Sequence, residues 1–328
     1  MTATDPRNGS VYAMCAPHLP FVEIQDRGLN SPFWAAYEAR AEELRRFDPE
    51  LVFVFGSDHY EGQLMEKMVP FAVGLSAEAV PDRGGFPGRL QVPEAVARGC
   101  AEFLMEADFD VAVSHDMQVD HGFSQVLHRM LGGVGARPVI PLFVNALAHP
   151  RPSFSRVRRF GAAVGRYAAG LGKRVAVLGS GGLSHETGDI FPQLHEVTDP
   201  TLREFLIHGG SRGGLSRETW RSNLAAGLTV INALLEAKTP GVGEVRPHWD
   251  AEFLRLFAAG ELGVFDAWQD ATVLREGGNG AGEVRSWIAT MAAAQALGAA
   301  APVIDYYEAG TCLGVAAVVA HATDGLRA

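Results

Sequence analysis

Four apolar runs, each followed at once by a loop that carries histidine, constrain the fold of this chain more than any other feature. The runs occupy residues 11–16, 51–55, 111–113 and 174–178. The loops after them carry His18, His59, the pair His115 and His121, and His185. Short continuous apolar runs are typical of strands that are buried on both faces of a sheet. The pattern therefore predicts buried strands that present imidazoles at their carboxyl ends.

Helical patterns lie between these runs, at residues 31–47, 93–107, 123–131 and 154–170. Strands that alternate with helices over short connections are typical of α/β proteins with a mostly parallel sheet. We expect one large α/β/α domain over residues 11–328, after a flexible N-terminus at residues 1–10, with a helical C-terminal third. Ligands of open parallel sheets bind outside the carboxyl ends of the strands, so the histidines are expected to share one site.

Composition excludes several classes of partner. The net charge of −10 argues against nucleic acid, because phosphate binding needs clustered Lys and Arg. No apolar stretch reaches the roughly 18 residues of a membrane span, and residues 1–10 lack the apolar core of a signal peptide. The three cysteines, Cys15, Cys100 and Cys312, are widely spaced, which fits a reducing cytoplasm. We therefore expect a cytoplasmic protein that acts on a small molecule.

The histidines favour a transition-metal site. Two histidines and one carboxylate that leave coordination positions open are typical of non-haem Fe(II) oxygenases. His18 and His59 suit this role because each follows a strand on a short loop. His121 and His185 are alternatives as ligands or as acid–base groups, since the pKa of histidine lies near 6.5. His115, at the end of its strand, is a candidate for the lining of the same cavity.

Three motifs carry a family resemblance. The segments SDHY at 57–60, MQVDHGFSQ at 117–125 and LGSGGLSH at 178–185 resemble the class III, LigB-type extradiol catechol dioxygenases. The similarity runs from about residue 12 to residue 292. Ser57 departs from the family pattern, which has proline before the Asp-His pair.

The resemblance implies a complete set of site residues. Fe(II) is expected on His18, His59 and Glu283, the last within an E-V-x-x-W pattern. His121 is expected to act as the proton donor and His185 as the proton acceptor. We also expect His115, Asp120 and Tyr60 to contact the substrate.

The resemblance also implies the reaction. The substrates are O2 and a 3-substituted catechol, whose ring opens beside the diol to give a muconic semialdehyde-type product. Relatives assemble into homo-oligomers, so a homo-oligomer is expected here. A carboxylated side chain on the catechol would need a cationic partner. The candidates for that partner are Arg83, Arg89, Arg212 and Arg285.

Two other functions remain compatible with the same residues. A hydrolase with zinc at the three ligands would use His121 or His185 as its base and would work without O2. A Memo-like binding or redox-regulatory protein would share the fold without cleaving a ring. Glu283 beside two histidine ligands and two further histidines argues against a role in binding alone.

Overall fold

The computed structural model describes residues 10–18, 31–82, 84–186, 191–237, 239, 245–309 and 317–324. The predictions for residues 1–9, Arg83 and Cys312 lie outside the described residues. Among the described helices, none combines the length and the apolar character that crossing a lipid bilayer requires.

An eight-stranded sheet forms the centre of the molecule. Its strands are β1 (Val11–Ala16), β2 (Leu51–Gly56), β3 (Phe71–Gly74), β6 (Ala112–Ser114), β8 (Val139–Val144), β9 (Val175–Ser180), β10 (Val303–Glu308) and β11 (Ala317–Thr323). Their order is β10-β11-β1-β9-β2-β8-β3-β6. A three-stranded sheet is built from β4 (Ala77–Ala79), β5 (Gly88–Arg89) and β7 (Met117–Val119).

The centre of the large sheet is parallel and fully buried. Strands β1, β9, β2 and β8 pair in parallel, and every residue of these four strands is buried. The edges are mixed, since β3 is antiparallel to β8 and β11 is antiparallel to β1. Burial on both faces explains the uninterrupted apolar runs of the sequence. The predicted α/β class with a mostly parallel sheet is confirmed.

Helices cover both faces of the sheet. They are α1 (Ser31–Phe47), α2 (Glu94–Glu106), α3 (His121–Leu131), α4 (Phe154–Gly170), α5 (Pro200–His208), α6 (Arg217–Glu236), α7 (Pro247–Ala258), α8 (Asp270–Gly277) and α9 (Val284–Ala296). Helices α1 and α3 contribute to the core on one face, and α4 and α9 contribute to the core on the other. Helices α4 and α9 pack so closely that a Cβ at Gly161 would lie 2.1 Å from the carbonyl oxygen of Ala289.

The C-terminal third departs in part from the helical expectation. Helices occupy most of residues 200–296, but β10 and β11 then return the chain to the sheet. Strand β11 pairs with β1, with Tyr12 opposite Thr323 and Cys15 opposite Ala320. This pairing satisfies the backbone of β1 on the side that β9 leaves free. Residues 279–283 form a buried 3-10 helix that leads into α9.

Candidate active site

The carboxyl ends of three neighbouring strands position the candidate site. Strands β1 and β2 both pair with β9, so His18, His59 and His185 emerge from adjacent loops. Glu283 reaches the same place from the N-terminal end of α9. All four side chains are buried. The structure thus brings together residues that are up to 265 positions apart in the sequence.

His18, His59 and Glu283 form a compact triangle of donor atoms. The two histidine Nε2 atoms lie 3.3 Å apart. The Oε1 atom of Glu283 lies 3.2 Å from Nε2 of His18 and 3.4 Å from Nε2 of His59. Neighbouring ligands about 2.1 Å from one metal ion are about 3 Å apart, so this triangle fits one ion bound on its face.

Hydrogen bonds to the far side of each ring orient the two imidazoles. Nδ1 of His59 lies 2.9 Å from Oδ2 of Asp120, and Nδ1 of His18 lies 3.0 Å from Oγ of Ser180. A proton on each Nδ1 leaves the Nε2 lone pairs directed toward the triangle, as ligation requires. Ser57 donates its hydroxyl to Oε1 of Glu283 at 3.0 Å, a contact that proline at this position would lack.

His121 is the alternative third ligand. It offers a ring nitrogen within 4.8 Å of donor atoms of His18 and His59. Glu283 has two features in its favour: its oxygen lies 3.2 Å and 3.4 Å from the two histidine nitrogens, and its negative charge would offset that of a divalent ion. These two features favour Glu283 over His121 as the third donor of a metal site.

Opposite charges within the cluster offset the cost of burial. Burial opposes ionisation of Glu283, but His18 and His59 hold its pKa well below the usual range. Burial alone would lower the pKa of His59, yet Asp120 and Glu283 raise it well above the ordinary value. The pKa of His18 is lowered, chiefly by burial. The two carboxylates therefore favour the protonated form of His59 in the metal-free protein, and ligation through Nε2 would release that proton.

His121 is the first residue of α3 and lies against the two ligand histidines. Its ring stacks on that of His59 with centroids 4.2 Å apart and meets the ring of His18 edge-on at 5.3 Å. Asp82 accepts hydrogen bonds from the backbone N–H of His121, at 3.0 Å, and from its Nδ1. With the Nδ1 proton held there, Nε2 is the atom available for chemistry. Sequence analysis did not find Asp82, since no motif marks it.

His185 approaches Glu283 from the side of α9. Its Nδ1 lies 2.9 Å from the carbonyl oxygen of Leu183, which can only accept, so the proton is on Nδ1 and Nε2 is basic. A Cβ at Gly280 would lie 2.1 Å from that Nε2, so glycine is required for the ring to fit. A Cβ at Gly182 would lie 2.7 Å from Cε1 of His185 and 3.3 Å from Oε2 of Glu283.

The three expected substrate contacts have other surroundings. Asp120 is buried and is committed to His59 and to the backbone N–H of Gly122, so it acts through the histidine. Tyr60 is buried in an apolar cluster with Phe191. His115 is exposed in the turn between β6 and β7, and β6 is the edge strand farthest from β1. The structure therefore separates His115 from the other site histidines.

The described candidates for a carboxylate partner do not line the site. Arg89 donates to Ser76, and Arg285 is fully buried with Asp270 and the carbonyl oxygen of Pro152. Arg212 is exposed in the turn between α5 and α6. Beside the histidines, a cleft has a different lining that sequence analysis missed: His59, Glu61, Asp82, His121, Arg221, Leu224 and Leu228.

Comparison with known proteins connects this geometry to one family. A family model described as the catalytic LigB subunit of aromatic ring-opening dioxygenase matches residues 12–319. A 2,3-dihydroxyphenylpropionate/2,3-dihydroxicinnamic acid 1,2-dioxygenase of Paraburkholderia xenovorans (strain LB400) is 41% identical over 273 residues, which cover 83% of each chain. An enzyme of the same name from Mycobacterium sp. (strain MCS) is 39% identical over 286 residues, which cover 87% of this chain and 89% of the relative. The chain belongs to the LigB family of aromatic ring-opening dioxygenases.

Proposed function

We propose that this protein is a non-haem Fe(II) extradiol dioxygenase for 3-substituted catechols such as 3-(2,3-dihydroxyphenyl)propionate. The observation that carries the proposal is the donor triangle of His18, His59 and Glu283, with atoms 3.2–3.4 Å apart and two further histidines beside it. The names of the relatives support the substrate class. Iron as the metal, a cytoplasmic location and a homo-oligomeric state are parts of the same proposal.

The metal and the protein have separate tasks. When bound, Fe(II) supplies positive charge that favours the ionised catechol and a route for electrons from the ring to O2. His18, His59 and Glu283 would hold the ion, and three protein ligands would leave coordination positions for the substrates. All three side chains are buried, which would limit access of bulk water to the site.

His185 is the proton acceptor in this proposal. Its Nδ1 proton is fixed on the carbonyl oxygen of Leu183, so Nε2 can take a proton from one catechol hydroxyl. The ring lies close to Glu283, because a Cβ built on Gly182 would touch both side chains. A catechol that binds with its two hydroxyls at the triangle would place one of them on the side of this nitrogen.

His121 is the proton donor. Asp82 accepts the Nδ1 proton and orients the ring, so Nε2 is the nitrogen that would donate a proton when the O–O bond breaks. The carbon–carbon bond beside the diol is cleaved, and both oxygen atoms of O2 enter the product. Catechol and O2 are consumed one to one to give a semialdehyde that carries a carboxylate.

The test begins with anaerobic loading of the protein with Fe(II), followed by a 3-substituted catechol in air. We expect a yellow product and the uptake of one O2 per catechol consumed. His195, an exposed histidine, supplies a matched control: His195→Gln should keep the activity. Absence of both yellow product and O2 uptake with every 3-substituted catechol would refute the proposal. Turnover of a hydrolysable substrate by the zinc-loaded protein without O2 would instead support a hydrolase.

A further inference from the structure

A polar network on α6 lines the cleft that contains His59 and His121. Arg217 and Arg221 lie one helical turn apart, and Leu224 and Leu228 continue the same face of the helix. Arg221, Leu224 and Leu228 all line the cleft that contains His59 and His121. The network is therefore part of the same cleft as the proposed proton donor.

Glu61 holds both arginines in place. Its side chain is 2% exposed and accepts from Nη1 of Arg217 at 3.1 Å and from Nη2 of Arg221 at 2.7 Å. Nε of Arg221 donates to the same carboxylate at 3.1 Å. Glu61 lies two residues after the ligand His59, and Asp58 accepts the backbone N–H groups of residues 61–63. The loop that positions the metal ligand thus also positions the arginines.

Arg221 retains a donor that Glu61 does not use. Within the described part of the chain, Nη1 of Arg221 has no hydrogen-bond acceptor. The Arg221 side chain is 26% exposed, whereas the Glu61 side chain is 2% exposed. Asp82, the other carboxylate in the cleft, accepts from His121 through Oδ2, and its buried Oδ1 has no hydrogen-bond partner among the described residues. A planar guanidinium held in this way is suited to a ligand carboxylate.

We propose that Arg221, supported by Arg217, binds a carboxylate on the ring substituent of the catechol, with Leu224 and Leu228 alongside the intervening carbons. The inference rests on the proposed function, because it places the two hydroxyls at the metal triangle and the substituent toward α6. It makes Arg221 a residue that determines specificity for anionic over uncharged 3-substituted catechols.

The first test compares two substrates in the iron-loaded enzyme. We expect Arg221→Met to lower the ratio of kcat/KM for 3-(2,3-dihydroxyphenyl)propionate to that for 3-methylcatechol by roughly 10- to 100-fold, as for a lost hydrogen bond to a charged group. Arg221→Lys should restore part of the ratio, since it keeps the charge without the planar fork. Arg255→Met, which removes an exposed arginine of α7, is the matched control. An unchanged ratio in Arg221→Met overturns the proposal.

A second measurement is independent of turnover. We expect 3-phenylpropionate, which lacks the hydroxyls, to bind the wild type more tightly than 3-phenylpropanol does, and Arg221→Met to abolish the difference. If Arg221→Met does not fold, Arg217→Met and Arg221→Lys provide the same comparison. A wild type that binds the two probes equally overturns the proposal. Probe binding that depends on Arg221 in a protein that cleaves no catechol would leave the anion site standing and refute only the proposed dioxygenase activity.

Discussion

His59 and His121 stack on each other and have the same kind of aspartate partner, but their Nε2 atoms face different surroundings. Each directs Nδ1 at an aspartate, and that aspartate also accepts the backbone N–H of the same histidine. Asp120 serves His59 and Asp82 serves His121. The Nε2 atom of His59 points at Glu283 and His18, whereas Nε2 of His121 has no hydrogen-bond partner within the described residues.

This comparison shows that the aspartate pairing alone does not decide the role of a histidine. The pairing fixes the tautomer and the ring orientation in both cases. In the proposed function, the group opposite Nε2 distinguishes the metal ligand from the proton donor. The four predictions that follow test that distinction.

The largest effect is expected from removal of a ligand. His59→Ala and Glu283→Gln should each reduce the iron content to background, because each loses one corner of the donor triangle. Metal analysis after anaerobic loading and gel filtration measures this directly, with His195→Ala as the control. Full iron retention in both variants would remove these residues from the ligand set.

His121→Gln should keep its iron and lose turnover. We expect a fall in kcat of about 10²- to 10⁴-fold, the range for loss of a general acid. Iron content and kcat measured on the same preparation separate the two stacked histidines. If His121→Gln loses iron as His59→Ala does, then His121 is the third ligand and the comparison fails.

Substitutions of Asp120 and Asp82 should likewise differ in their effects on iron binding and on kcat. Asp120→Asn is expected to weaken iron binding by about 10- to 100-fold, the usual effect of removing a partner of a ligand histidine. Asp82→Asn should leave iron binding unchanged and lower kcat, because it acts on the proton donor. Iron titrations and steady-state kinetics of both variants test this, and identical behaviour of the two would contradict the assignment.

The pH dependence of iron binding sharpens the comparison further. The pKa of His59 is raised well above its ordinary value because Asp120 and Glu283 outweigh the effect of burial. Protons compete with the metal for His59, so iron affinity should increase with pH from about 6.5 up to the raised pKa, by about tenfold per unit. Affinity that is flat over this range would indicate that His59 is already neutral in the metal-free protein.

The same raised pKa has a consequence for stability in the metal-free protein. A folded-state pKa above the unfolded value stabilises the fold fully below the unfolded pKa, near 6.5, and this contribution is lost as the pH rises through the folded value. The contributions of Asp120 and Glu283 to stability depend on pH in the opposite direction. Their pKa values are held low by the histidines, against the effect of burial, so their contribution is present above about pH 4 and is lost in acid.

The sequence by itself determined the fold class and the set of residues that meet at the centre of the site. Strands buried on both faces must be apolar throughout, so β1, β2 and β9 were visible as runs, and their carboxyl ends pointed to His18, His59 and His185. Glu283 came from the family resemblance alone. The structure brings these four residues together, and their roles remain proposals until the experiments are done.

The tertiary structure alone decided the partners of those residues. Asp82 meets His121 across 39 positions, and Arg221 meets Glu61 across 160, through loops and a helix whose local sequence gives no sign of the contact. His115 lies in an exposed turn next to an edge strand. The sequence did not predict this position, because a short apolar run does not reveal whether its strand is central or at the edge. Local patterns report burial, since burial acts on each residue separately. Pairings between distant side chains depend on how the elements pack, which a single sequence does not encode in any local pattern.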